Sequence, residues 1–139
     1  MTDLGLVLIS NKEYQKMQYD CKKQLRSFGY AWKGIRDCVG KEQNLNFHLV
    51  VSVLVVVAGL ALDIRPLEWV AVLLCMGLVI GAELFNTAIE RLVDLVSPQW
   101  HPVAGRVKDI AAGAVLVCAV VSVAVGLIVF VPYLTRLCL

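Results

Sequence analysis

The chain has 139 residues, 59% of them hydrophobic, with a formal charge of +2 and a mean hydropathy of +0.75. A soluble domain is about 45–50% apolar, and the excess here is gathered in three blocks, which excludes an ordinary soluble domain and points to an integral membrane protein. Nothing in so small a charge asks for a nucleic-acid partner.

Residues 1–20 contain "LGLVLIS" but neither a basic leading region nor a clean cleavage site. This reads as a loosely ordered extension rather than a cleaved signal. Residues 21–139 then form one membrane-embedded domain. Its first element is predicted at about 21–45, where Leu25, Phe28, Trp32, Ile35 and Val39 recur at spacings of three and four. Lys22, Lys23, Arg26, Lys33 and Arg36 occupy much of the remainder. A basic helix with an aromatic stripe is suited to the membrane interface.

The first span is predicted at about 47–63. It is rich in valine, yet in hydrocarbon only helices and closed barrels satisfy the backbone, and three short spans cannot close a barrel. "DIRPLEW" follows, with Pro66 interrupting the helix and Trp69 suited to the interface. The second span is predicted at about 67–96, roughly 45 Å at 1.5 Å per residue, longer than the ~30 Å of hydrocarbon. "SPQWHP" ends it. The third is predicted at about 109–132, opening on the small residues Ala111, Ala112, Gly113 and Ala114 that permit close helix contact. The fold class is therefore all-α: three transmembrane helices and an N-terminal amphipathic interfacial helix. Eleven of the thirteen Lys and Arg residues lie in the N-terminal segment or from Arg91 to Lys108. The positive-inside rule places the N-terminus and the connection between the second and third spans in the cytoplasm. The five cysteines are scattered with no CxxC, and read as reduced thiols.

Within the second span, "GAELFNTAIERLVD" interrupts the apolar pattern. On a helix, Asn86, Glu90 and Asp94 stand at about −60°, −20° and +20° from Glu83, so the acids form one column. A charged side chain at membrane depth costs about 2.5–3.5 kcal/mol by insertion scales, and such residues are functional candidates by default. A cation, basic partners or protonation could compensate them. Downstream, Arg106, Lys108 and Asp109 stand at the start of the third span, and Glu42 lies just before the first. Hard carboxylate oxygens suit Mg²⁺ bridging acids and nucleotide phosphates, and a carboxylate free of metal can serve as general base. This chemistry fits phosphoryl transfer to a hydroxyl at the membrane surface. No GxxxxGK[ST] is present, so a nucleotide would be bound without a P-loop.

"GYAWKGIRDCVGKE" and "GAELFNTAIERLVDLVSPQWHPVAGRVKDIAAGAVLV", on a three-span layout, resemble the small prokaryotic diacylglycerol kinase/undecaprenol kinase family. The similarity covers about residues 25–132. It implies a homotrimeric helical bundle in the bacterial inner membrane that uses Mg²⁺ and ATP to phosphorylate a lipid alcohol. It also implies roles for single residues. Glu83 matches the catalytic base, and Glu42 and Glu90 the metal-binding acids. Asn86, Lys108 and Asp109 match essential polar residues, and Tyr30 a nucleotide-contacting aromatic. Lys23 falls where the family often has an Arg at the nucleotide, and His101 lies in a segment that contacts it. Trp32, Lys33 and Arg36 match the lipid-side and interfacial region. "KEQNLNFH" resembles the undecaprenol kinase subgroup at Asn44 and His48, while Asn46 replaces its usual basic residue.

A small proton-coupled transporter would also use an intramembrane acid, here Glu83. It would not need the accompanying Glu42, Glu90, Lys108 and Asp109. A structural subunit would need none of these acids.

Overall fold

The computed structural model describes residues 21–137, and side chains within 24–136. All regular elements among them are helices: α1 (Cys21–Cys38), α2 (Gln43–Ala61), α3 (Pro66–Val96) and α4 (Pro102–Leu137). They belong to two compact units, the first ending at Arg36 and the second beginning at Asp37. The N-terminal extension lies outside the described residues.

The interfacial helix, expected to reach about residue 45, stops at Cys38. Gly40 adopts φ +83°, a left-handed conformation that glycine takes without a Cβ penalty. The N–H groups of Lys41 and Glu42 both donate to the Cys38 carbonyl, at 3.1 and 3.0 Å. The Asn46 side-chain oxygen accepts from Gly40 N–H at 2.9 Å. Asn46, which departs from the subgroup's basic residue, thus ties down the turn. Along α1, Leu25, Phe28 and Trp32 are all more than two thirds exposed. An apolar stripe this open, on a helix that also carries Arg26, Lys33 and Arg36, suits the membrane interface.

α2 begins at Gln43, ahead of the expected 47. Near its end Gly59 faces the Trp69 ring, two of whose atoms would stand 2.8 and 2.9 Å from any added Cβ. The chain then turns at Asp63, φ +51°, a conformation that Asp tolerates better than most residues. Pro66 does not break a helix but opens α3, where its missing N–H costs nothing. Arg65 N–H donates to Glu68 Oε2 at 2.8 Å and its guanidinium to Oε1 at 2.6 Å. Tyr133 of α4 donates to Glu68 Oε2 at 2.6 Å. Just inside this polar closure lies the principal apolar cluster, Ile64, Val72 and Val129 with Trp69, Met76 and Phe130 around them. Trp69, expected at the interface, also packs on this cluster.

α3 packs most extensively on α4 and less on α2. α4 starts at Pro102 rather than near Asp109 and continues through Pro132. Hydropathy marks where hydrocarbon begins, and nothing in "AGRVKD" stops a helix from forming before it. α2, α3 and α4 are each long and apolar enough to cross a membrane.

Candidate active site

The helical period sets the polar column on α3, and packing grades it. Glu83 and Asn86 are 4% and 5% exposed, and with Thr87 they are the buried polar residues among the described positions. Glu90 is half-buried and Asp94 exposed. Seven residues separate Glu83 from Glu90, about 10 Å along the axis. The column therefore runs from a dry interior to open solvent. Asn86 Nδ2 donates to Glu90 Oε1 at 2.9 Å, which orients both side chains. Asn86 Oδ1 is buried with no partner. An unmet buried acceptor costs about 1–3 kcal/mol, so this atom is suited to a donor or cation arriving with a substrate.

Towards the solvent end, Arg91 joins residues from both sides of the α1–α2 turn. Its Nη1 donates to Asp37 Oδ2 and its Nη2 to Glu42 Oε1, both at 2.9 Å. Asp37 also pairs with Lys41. The hydrogen bonds from Lys41 and then Arg91 hold the Asp37 carboxyl below its usual range. Arg91 thus brings Glu42 to the same end of α3 as Glu90. On α4, Lys108 Nζ donates to Asp94 Oδ1 at 2.5 Å. The last acid of the column, with no role assignable from its chemistry alone, is the partner of Lys108, one of the polar residues that the resemblance marks as essential. With side chains 33% and 65% exposed, this pair contributes little to stability. It holds Lys108 in place.

Among the described residues, no three His, Cys, Asp or Glu side chains could cage a metal by themselves. Mg²⁺ seldom uses such a cage: it keeps waters and takes one or two carboxylates plus phosphate oxygens. Half-buried Glu42 and Glu90, with the orphaned Asn86 Oδ1 beside Glu90, fit that pattern.

Tyr30, Trp32, Lys33 and Arg36 are exposed on α1 in the other unit. The Lys23 side chain lies outside the described residues. His101 is exposed, and its Nδ1 accepts from Val103 N–H at 3.2 Å, capping the start of α4. Asp109 is exposed on the first turns of α4.

Two residues have contacts to which sequence reasoning assigned no role. In the sequence, Arg91 is one of the basic residues that flank the spans. His48, noted only as part of the subgroup pattern, places Nε2 3.4 Å from Glu83 Oε1, with its side chain 19% exposed. His48 leads the apolar run "LVVSVLVVVAGLA" of α2, and an ionisable side chain at the head of a membrane span is the signal the sequence offers. His48 also borders an apolar cavity of about 380 Å³ between α2, α3 and α4, lined further on by Ser52, Val79, Ser122 and Phe130.

Residues 29–130 match the family model for prokaryotic diacylglycerol kinase. The chain is 40% identical over 109 residues to the undecaprenol kinase of Bacillus subtilis (strain 168), covering 78% of this chain and 89% of that protein. It is 38% identical over 114 residues to the diacylglycerol kinase of Synechocystis sp., covering 81% of this chain and 65% of that longer protein. Against the diacylglycerol kinase of Escherichia coli (strain K12) it is 33% identical over 99 residues, 71% of this chain and 81% of the other.

Proposed function

The chain belongs to the prokaryotic diacylglycerol kinase family, and from that premise we propose that it phosphorylates undecaprenol with Mg-ATP, using Glu83 as the base. It is a lipid kinase and a multi-pass bacterial membrane protein. Family membership removes the support for a transporter. The observation that carries the site assignment is the graded column on α3: a buried acid, a buried amide with an unmet oxygen, and a half-buried acid nearer solvent. It joins a dry environment for a lipid hydroxyl to a wet one for a nucleotide.

In this reading, Glu83 accepts the proton of the lipid hydroxyl as its oxygen attacks the γ-phosphorus of ATP in line. One O–P bond forms, the bond to the β-phosphate oxygen breaks, and ADP leaves. Magnesium held by Glu42 and Glu90 would neutralise charge on the phosphate oxygens. Asn86 orients Glu90, and Lys108, steadied by Asp94, presents a point charge to the phosphates. Asp109, His101, Tyr30 and Lys23 complete the nucleotide site by family resemblance, and Trp32, Lys33 and Arg36 the interfacial one. The apolar cavity beside His48 offers hydrocarbon surroundings to the lipid tail. The active form is a homotrimer, with its N-terminus and the α3–α4 connection cytoplasmic, the side favoured by the basic residues.

Undecaprenol is favoured over diacylglycerol by the "KEQNLNFH" segment and by the similarity to the Bacillus enzyme. The test supplies each lipid separately, with radiolabelled ATP and Mg²⁺, to the purified protein. Faster labelling of undecaprenol supports the assignment, and faster labelling of diacylglycerol overturns it.

A further inference from the structure

We infer that His48 is the positioning residue of the base: its Nε2 holds one oxygen of Glu83 and leaves the other aimed at the lipid hydroxyl. The inference rests on the reading of Glu83 as base. It begins from how the cations are distributed. Arg91 is taken by Asp37 and Glu42, and Lys108 by Asp94. Arg65 is held by Glu68. Among the described residues, the group capable of carrying positive charge within ion-pair range of Glu83 is the imidazole of His48, at 3.4 Å. Both side chains are largely removed from water, at 19% and 5% exposure.

A buried carboxylate with free rotation about its last bonds is a poor base, because its oxygens are not held where the proton must be taken. Anchoring one oxygen removes that freedom, and misplacing a reacting group by about 1 Å costs on the order of 10²-fold in rate. At 3.4 Å the contact is longer than the ~2.9 Å of a full N–H···O bond. Catalytic contacts are often long in the absence of substrate and tighten in the reacting complex. The His48 ring also meets the Phe47 ring edge-on, with centroids 5.5 Å apart. His48 also borders the apolar cavity. The residue that orients the base thus also lines the apolar space open to a lipid tail.

The test compares full-length His48→Leu, His48→Gln and His48→Asn with the wild type, measuring kcat and both KM values alongside the thermal midpoint. Glutamine can place an N–H donor near the position of Nε2, whereas asparagine cannot reach it. The expected result is a fall in kcat of about 10–100-fold for His48→Leu, with KM for ATP and lipid within about twofold of wild type and most of kcat restored in His48→Gln. If His48→Leu does not fold, Gln against Asn decides: an active Gln variant beside an impaired Asn variant supports the inference, and equal activity overturns it. Introduced into Glu83→Gln, His48→Leu should cause no further loss, since it acts through the group already removed. A further loss there, or an effect confined to KM, overturns it. Wild-type turnover in Glu83→Gln would remove the base itself. Impaired Glu83→Gln beside fully active His48→Leu would remove only the role of His48.

Discussion

Replacing Glu83 by glutamine is the most direct perturbation of the proposed chemistry, because it changes the charge of the side chain and almost none of its volume. Glu83 is 4% exposed, so a smaller residue would leave a cavity and confuse a catalytic loss with a folding defect. Glutamine fills the same space. It keeps an amide oxygen facing His48 Nε2, so the imidazole is not left without a partner and the folded protein should be about as stable. The nucleotide-side acids should be undisturbed: Glu90 lies about 10 Å further along the axis, and Glu42 is held from the other side by Arg91. A positioned general base contributes about 10²–10⁴-fold to rate, equivalent to about 2.7–5.5 kcal/mol at 1.36 kcal/mol per decade. The expected outcome is therefore a fall in kcat of at least about 10²-fold, with unchanged nucleotide affinity and a similar thermal midpoint. The assay is radiolabelled lipid phosphate formed by purified protein, paired with equilibrium binding of an ATP analogue. A variant whose kcat stays within about threefold of wild type, well short of what a base supplies, would refute the assignment. So would lost nucleotide binding, which would place Glu83 at the nucleotide instead.

Other substitutions separate the remaining roles. Glu90→Gln should raise the Mg²⁺ concentration for half-maximal rate, because a neutral amide replaces a hard anionic oxygen; an unchanged titration would remove Glu90 as a ligand. Arg91→Gln should raise that concentration by about two- to fivefold, since the guanidinium holds Glu42 at the Glu90 end of α3 across a partly exposed contact. A decreased requirement would mean that Arg91 acts on Glu42 only by neutralising its charge. Gly59→Val should destabilise by about 1–3 kcal/mol, because the new side chain meets the Trp69 ring; an unaltered thermal midpoint would show that α2 and α3 are not held at this separation.

The legible part of the molecule is the part governed by local rules. The three spans follow from apolar runs of sufficient length in a solvent that admits only internally bonded backbone. The column Glu83, Asn86, Glu90 and Asp94 follows from the helical period alone, because spacings of three and four determine which side chains share a face. The grading of that column from buried to exposed was also foreseeable, since it follows depth along one helix.

What the tertiary structure decided is the partner of each charge. Arg91 meets Asp37 and Glu42 across separations of 54 and 49 residues; Lys108 meets Asp94 and His48 meets Glu83 from neighbouring helices. Such pairings depend on the rotation and register of one helix against another. A lipid-facing helix is apolar on every side, so its pattern carries little information about which side faces a neighbour. In hydrocarbon, close packing and polar contacts select the mate rather than burial from water. For that reason the sequence announces the acids of the site by itself, while only the packed helices show that a histidine, an arginine and a lysine are the groups that hold them.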